Sequence, residues 1–393
     1  MTVMFIFWIY LFLNLNFGNT TNFNVIEFKN TSRTARQNIL NLGICKILLN
    51  RDCPNEEVKY FLYTRRHPQN AEEITVGHSL ETSNILQTSF RKNRPTKIVI
   101  HGYNSDMFLN ALIEVKNQYL MRNDMNIFAI DWGSIAQGPC YPAAVYNSRI
   151  AGKCSALLIE RLKELHVENI HVIGFSLGAH VSGFIANALF PYKLARITGL
   201  DPAMPGFATV PNNQKLDASD AEFVDVIHTN AFFQGQIQES GHVDFFVNGG
   251  VVQPGCWADN RFLACNHHRA PFYYAESINS ENGFWAWPCT NYFSYLAGRC
   301  PPREPQIIMG DLTKKSATGM HLVITDSVSP FAVGKFTGPT IDIFKQNIET
   351  TRISDYERYK QMMIIGCTNN YNTGECDNNV VDSGDNLLYD IFP

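Results

Sequence analysis

The chain has 393 residues, 45% of them hydrophobic and 17% charged, enough apolar content for a sizeable core and too much for a largely disordered protein. Lys and Arg number 32 against 36 Asp and Glu, a net charge of −4 that offers no footing for a polyanion and speaks against nucleic acid as a partner. The length suits two domains or one large open α/β domain with an appendage.

The first strongly apolar stretch is Met1 to Gly18. Val3 to Leu13 forms an apolar run, and Asn16-Phe17-Gly18 supplies a small residue for cleavage. The run is short for a bilayer span of about 20 residues and no basic flank follows it; the one departure from a signal-peptide pattern is that no Lys or Arg precedes it. Residues 1–18 are therefore expected to be a signal peptide, and the product to be secreted and extracellular. Residues 19–56 form a polar, mixed N-terminal segment without a clear period, with a glycosylation sequon at Asn30-Thr31-Ser32.

From Lys97 the pattern becomes regular. Lys97 to Ile100 reads as a buried strand running into the turn His101-Gly102, and Phe108, Ala111, Leu112, Val115 and Tyr119 then recur at helical spacing. Asn126 to Trp132 is the next strand, and Ile150, Cys154, Leu157, Leu158, Leu162 and Leu165 mark a second helix. Asn169 to Gly174 is a third strand, followed by a helix carrying Val181, Phe184, Ile185 and Ala188. Arg196–Leu200 and Phe223–His228 are further buried runs. Strand and helix in alternation predict an α/β fold, a mostly parallel sheet with helices on both faces. The core domain is assigned to residues 57–334. Residues 335–393 read as an acidic tail, because from Phe336 onward nine Asp or Glu face four Lys or Arg. That tail is too short for a β-sandwich of about 100 residues.

Gly174-Phe175-Ser176-Leu177-Gly178 is G-x-S-x-G, placed where a strand meets a helix, the setting of a nucleophile elbow. A serine hydroxyl needs a base oriented by a carboxylate, in the chain order Ser, acid, His. Asp201 lies just past a buried strand, at the sheet edge where open α/β folds bind ligands, and is favoured over Asp217, Asp220 and Asp225. His228 reads as a core residue and His180 as packing under the elbow. His267 and His268 follow Cys265, and local chemistry does not choose between them. Backbone N–H groups of Tyr103 and Leu177 would form an oxyanion hole.

Ten cysteines without a Cys-x-x-Cys pair exclude zinc-ribbon and thioredoxin readings and, behind a signal peptide, predict disulfides. No cofactor and no metal are expected. The short segment Trp257 to Ala264 presents Trp257, Phe262 and Leu263, suited to a lipid interface.

Nine phrases in order, IVIHGYN, AIDW, VIGFSLGAHVSGF, ITGLDPAMPGF, DAEFVDVIHTN, GHVDFFVNGG, QPGC, CNHHR and YYAESI, make residues 57–334 resemble the pancreatic-lipase-like family of α/β hydrolases. The resemblance implies the α/β-hydrolase fold and a catalytic triad of Ser176, Asp201 and His267. The family's usual apolar neighbour of that histidine is replaced by His268. It also implies disulfides Cys256–Cys265, at the lid base, and Cys289–Cys300. A Cys53–Cys140 bridge resembles one in venom relatives, and Cys45, Cys154, Cys367 and Cys376 are left unassigned. Eight residues between Cys256 and Cys265, and a short segment from His228 to Gly241, resemble the short covering loops that accompany phospholipase A1 activity in this family. The C-terminal lipid-binding sandwich of triglyceride lipases is not expected. The resemblance thus implies a secreted hydrolase of lipid carboxylic esters, phospholipase A1-like, acting peripherally on a membrane or lipid particle. A triglyceride or galactolipid lipase, or a non-catalytic binding or storage protein, are the rivals. Nothing in the sequence indicates a protein partner.

Overall fold

The computed structural model describes residues 39–337. The expected signal peptide, Asn30, Cys367, Cys376 and nearly all of the acidic tail lie outside the described residues. Among the described residues no helix is long and apolar enough to cross a membrane.

The strands are β1 (Ile39–Leu42), β2 (Cys45–Leu48), β3 (Lys59–Thr64), β4 (His67–Ile74), β5 (Thr96–Ile100), β6 (Asn126–Asp131), β7 (His171–Phe175), β8 (Arg196–Leu200), β9 (Val224–His228), β10 (Val243–Val247), β11 (Phe284–Pro288), β12 (Ile307–Met309) and β13 (Gly319–Val323). The helices are α1 (Asn110–Arg122), α2 (Tyr141–Glu164), α3 (Leu177–Leu189), α4 (Phe262–Asn279) and α5 (Tyr292–Leu296). An 11-stranded sheet runs β12-β11-β13-β10-β9-β8-β7-β5-β6-β3-β4. Its centre, from β13 to β6, is parallel, and β3–β4 and β11–β12 add antiparallel edges. This is the α/β-hydrolase arrangement.

The central strands are continuous apolar runs because both faces are covered. One core forms where α2 and α3 cover one face, around Ile98, Ile100, Val172 and Ile197. A second forms under α1 and α4, around Val99, Ile173, Leu200 and Tyr273. Phe108 belongs to neither, although its spacing placed it in the first helix. It precedes α1 and is 64% exposed. The elements that periodicity did not reveal are the four edge strands, the β1–β2 hairpin, the parallel strands β10 and β13, and the helices α4 and α5. The edge strands and the hairpin are antiparallel, and His67–Ile74 carries mixed residues with half of its side chains exposed.

One disulfide expectation is overturned. Cys45 joins Cys140 and Cys53 joins Cys154, so the Cys53–Cys140 bridge does not form. Residues 45–53 run alongside the start of α2, with the Leu48 N–H donating to Asn147 Oδ1 between the two bridges. Cys140 and Cys154 are 14 residues apart, about 21 Å along a helix, so a segment running this way pairs first with first and second with second. Cys256–Cys265 and Cys289–Cys300 are also closed.

The chain leaves β5 for β6 on one side and then crosses back to β7 on the other. The loops after β5 and β7 therefore diverge, and the crevice between them is where an open α/β sheet accepts a ligand.

Candidate active site

Ser176 occupies the turn between β7 and α3 with φ 57° and ψ −121°, a conformation L-residues seldom adopt. Its backbone is held from both sides. The Ser176 N–H donates to Leu200 O at 3.0 Å, and Ser176 O accepts from Ala179 N at 3.1 Å and Ala203 N at 3.3 Å. The flanking glycines are required by close approach. A Cβ on Gly174 would stand 2.3 Å from Gly178 O, and one on Gly178 would stand 2.4 Å from Ile100 O. A Cβ on Gly102 would meet Ser176 Cβ at 2.7 Å, which brings the β5 loop against the serine.

Asp201 also sits at positive φ, 43°, just beyond β8, and is fully buried. A buried carboxylate must have its lone pairs met. Oδ1 accepts the Thr229 N–H at 2.9 Å and the Asn230 N–H at 3.1 Å, and Oδ2 lies 2.6 Å from His267 Nδ1. The carboxylate can only accept, so Nδ1 carries the proton and Nε2 is the basic nitrogen.

His267 is carried by α4, five residues beyond its first residue Phe262, rather than by an extended loop. Its ring is 4.6 Å from that of Phe175, the residue before Ser176. His268 shares neither the carboxylate nor that proximity: its ring is 5.3 Å from Phe175, and burial, then His267 and Arg261, lower its pKa to about 4. The structure therefore joins Asp201 to His267 and sets the His267 ring against Phe175, the residue before Ser176, with His268 alongside.

The other candidates have different work. His180 lies under the elbow, with Nε2 on Ala203 O at 2.8 Å and its ring stacked on Phe207. His228 is buried between Gln236 O and Asp244 Oδ1, each at 2.8 Å. Asp217 caps residues 218–220, burial pushes the Asp220 carboxyl up to about 8, and Asp225 pairs with Arg196 at 2.8 Å. Among the described residues no group of three or more His, Cys, Asp or Glu is placed to hold a metal ion.

Leu177 opens α3, so its N–H belongs to the helix's unsatisfied first turn, where the dipole favours negative charge. Tyr103 follows Gly102 in the loop that touches Ser176, and its ring meets Tyr141 edge-on at 4.9 Å. Two positioning residues escaped the sequence reading. His101 Nε2 accepts the Trp132 N–H at 3.1 Å, so Nδ1 carries the hydrogen and donates to Gly102 O at 2.8 Å. Fixing that carbonyl fixes the Tyr103 N–H, because both belong to one planar peptide. Gln253 is fully buried, accepts Asn248 Nδ2 at 2.9 Å, and donates Nε2 to Thr229 O and Val247 O, each at 2.9 Å. Its N–H donates to Asn266 Oδ1, beside His267. It thereby ties the loop holding Asp201 to the helix holding His267. The Q-P-G-C phrase contains it, yet nothing local in the sequence shows what it binds.

The covering segment between Cys256 and Cys265 is one 3-10 turn, Cys256–Ala258, followed by the first turn of α4. Trp257 and Phe262 stack with ring centroids 5.0 Å apart, and these two and Leu263 are half-buried.

The Lipase family profile matches residues 24–331. The chain belongs to the lipase family. It is 38% identical over 268 residues to pancreatic triacylglycerol lipase of Oryctolagus cuniculus, covering 62% of this chain and 56% of that protein. The enzyme of Homo sapiens is 38% identical over 270 residues, with the same coverage of 62% and 56%. The inactive pancreatic lipase-related protein 1 of Homo sapiens is 36% identical over 272 residues, covering 63% of this chain and 57% of that protein. The chain thus spans little more than half the length of these relatives.

Proposed function

We propose that this lipase-family chain hydrolyses carboxylic esters of lipids through an acyl-enzyme, with Ser176 as nucleophile, His267 as general base and acid, and Asp201 as the group that orients it. The observation that carries the reading is the 2.6 Å bond from Asp201 to His267 Nδ1, with the His267 ring packed beside the strained Ser176 elbow. Family membership alone does not decide activity, since a relative named a triacylglycerol lipase and one named inactive match almost equally well. The Asp201–His267 pair beside the elbow is what supports the catalytic reading.

In this scheme Nε2 of His267 takes the Ser176 proton as Oγ attacks the ester carbonyl. The oxyanion is met by the Leu177 N–H at the α3 N-terminus and the Tyr103 N–H in the loop after β5. Collapse expels the alcohol, which receives the proton from His267. Water then attacks the acyl-enzyme by the same route and releases the fatty acid.

For the substrate we favour the sn-1 ester of phospholipids. The covering segment is only one turn and a helix start, too short to close over an acyl-chain cleft, and the loop from His228 to Gly241 is short as well. The second reading, triacylglycerol hydrolysis, is favoured by the names of the relatives. Phosphatidylcholine vesicles with positional analysis of the released acid, run beside triolein emulsions, separate the two. Faster release from the sn-1 position supports the first reading, and dominant triolein turnover replaces it with the second. Four disulfides fit an oxidising compartment, and secretion with peripheral action at a lipid surface belongs to the same proposal.

A further inference from the structure

Beside the site lies an apolar surface that this chemistry does not use. The helix α5 sits in the loop closed by Cys289–Cys300, where Phe293 is 83% and Leu296 58% exposed. The helix is anchored by its other face. The Tyr292 ring lies 5.3 Å from Phe246 and its hydroxyl donates to Gly249 O at 2.9 Å, while Tyr295 packs on the cluster of Phe246, Trp287, Met320 and Leu322. Tyrosines three apart hold the helix down, and Phe293 and Leu296, also three apart, are turned out.

This surface is continuous with the catalytic edge. Tyr292 meets Phe232 edge-on at 5.8 Å, and Phe232 belongs to the loop whose Thr229 and Asn230 N–H groups hold Asp201. The next residue, Phe233, is itself 38% exposed. Arg299 and Arg303 follow α5 and are exposed, and among the described residues neither has an ion-pair partner, whereas the neighbouring Glu304 is paired with Lys335 at 3.0 Å. Solvent-facing Phe and Leu next to two unpaired guanidinium groups complement a bilayer interface: acyl chains for the first pair, phosphate for the second.

We infer that the loop Cys289–Cys300, with Arg303 beyond it, is a docking element for an anionic phospholipid surface, with Phe293 and Leu296 entering the acyl region and Arg299 and Arg303 meeting the headgroups. This rests on the reading of the adjacent site as a lipid ester hydrolase. The test uses the full chain carrying Ser176→Ala, so that vesicles are not consumed, and measures co-sedimentation with phosphatidylcholine vesicles with and without phosphatidylglycerol. Phe293→Ser with Leu296→Ser is expected to lower the partition coefficient on both vesicles by about tenfold or more. Arg299→Gln and Arg303→Gln should each lower binding to the anionic vesicles by about fivefold and reduce its salt sensitivity, the double variant losing most of that sensitivity, and all should spare the neutral vesicles. In the chain with Ser176 intact, all four substitutions should leave soluble short-chain ester hydrolysis and thermal unfolding unchanged. Unchanged partition in the Phe293/Leu296 variant overturns the inference, and so does a loss of thermal stability that accompanies lost binding. If the parent chain binds vesicles through these residues but hydrolyses no ester, docking stands and the catalytic reading falls.

Discussion

Two neighbouring histidines are separated by what their ring nitrogens reach. Only His267 is bonded to Asp201, at 2.6 Å, while His268 is held neutral by burial beside it. His267→Ala should therefore lower turnover of a soluble ester by orders of magnitude, whereas His268→Leu should retain most of it. Steady-state kinetics of the two variants decides the matter, and near-normal kcat in His267→Ala would show that the wrong neighbour is assigned. A subtler case is His101, whose Nδ1–H fixes the Gly102 carbonyl. His101→Phe keeps the ring against Trp132 but releases that peptide, so kcat should fall by about tenfold or more with KM unchanged, a partial version of losing an oxyanion donor. A rise in KM with constant kcat would place His101 in substrate binding instead. The serine was readable because its glycines are demanded by geometry and appear in the pentapeptide itself. His101 and Gln253 were not, because a buried donor gives no sign in sequence of the carbonyl it serves.

At the level of elements, the covering segment and α4 form one unit. Cys256–Cys265 staples the start of the helix that delivers His267, and Trp257 stacks on Phe262 at its first turn. If these half-buried rings meet the lipid, as the proposed function implies, Trp257→Ala and Phe262→Ala are expected to weaken vesicle hydrolysis far more than soluble-ester hydrolysis. Parallel assays on vesicles and a short-chain ester check this, and equal losses on both substrates would mean that the pair only packs the helix. The rhythm of β5 to β9 was legible because strands buried on both faces give apolar runs such as Ile98–Ile100 and Ile127–Ile130. One reading missed: Phe108 has helical spacing yet sits before α1.

Across the whole molecule, the described N-terminal segment is sewn to α2 by Cys45–Cys140 and Cys53–Cys154, bridges closing 95 and 101 residues of sequence. Loops of that length constrain the unfolded chain strongly, so Cys53→Ala with Cys154→Ala should lower unfolding stability by about 2–5 kcal/mol without touching the elbow. Denaturant unfolding alongside short-chain ester turnover tests this, and activity lost while stability is kept would contradict the division between scaffold and site. The pairing was hidden in the sequence because it depends on which way residues 45–53 run along a helix, a tertiary fact.

The central claim, that Ser176 is a nucleophile activated by His267 and Asp201, is tested most directly by reacting the folded chain with a fluorophosphonate and mapping the modified residue by peptide mass spectrometry. Stoichiometric labelling at Ser176, slowed by orders of magnitude in His267→Ala and Asp201→Asn, is the predicted result. Labelling elsewhere, or labelling of Ser176 at an unchanged rate without His267, would contradict it.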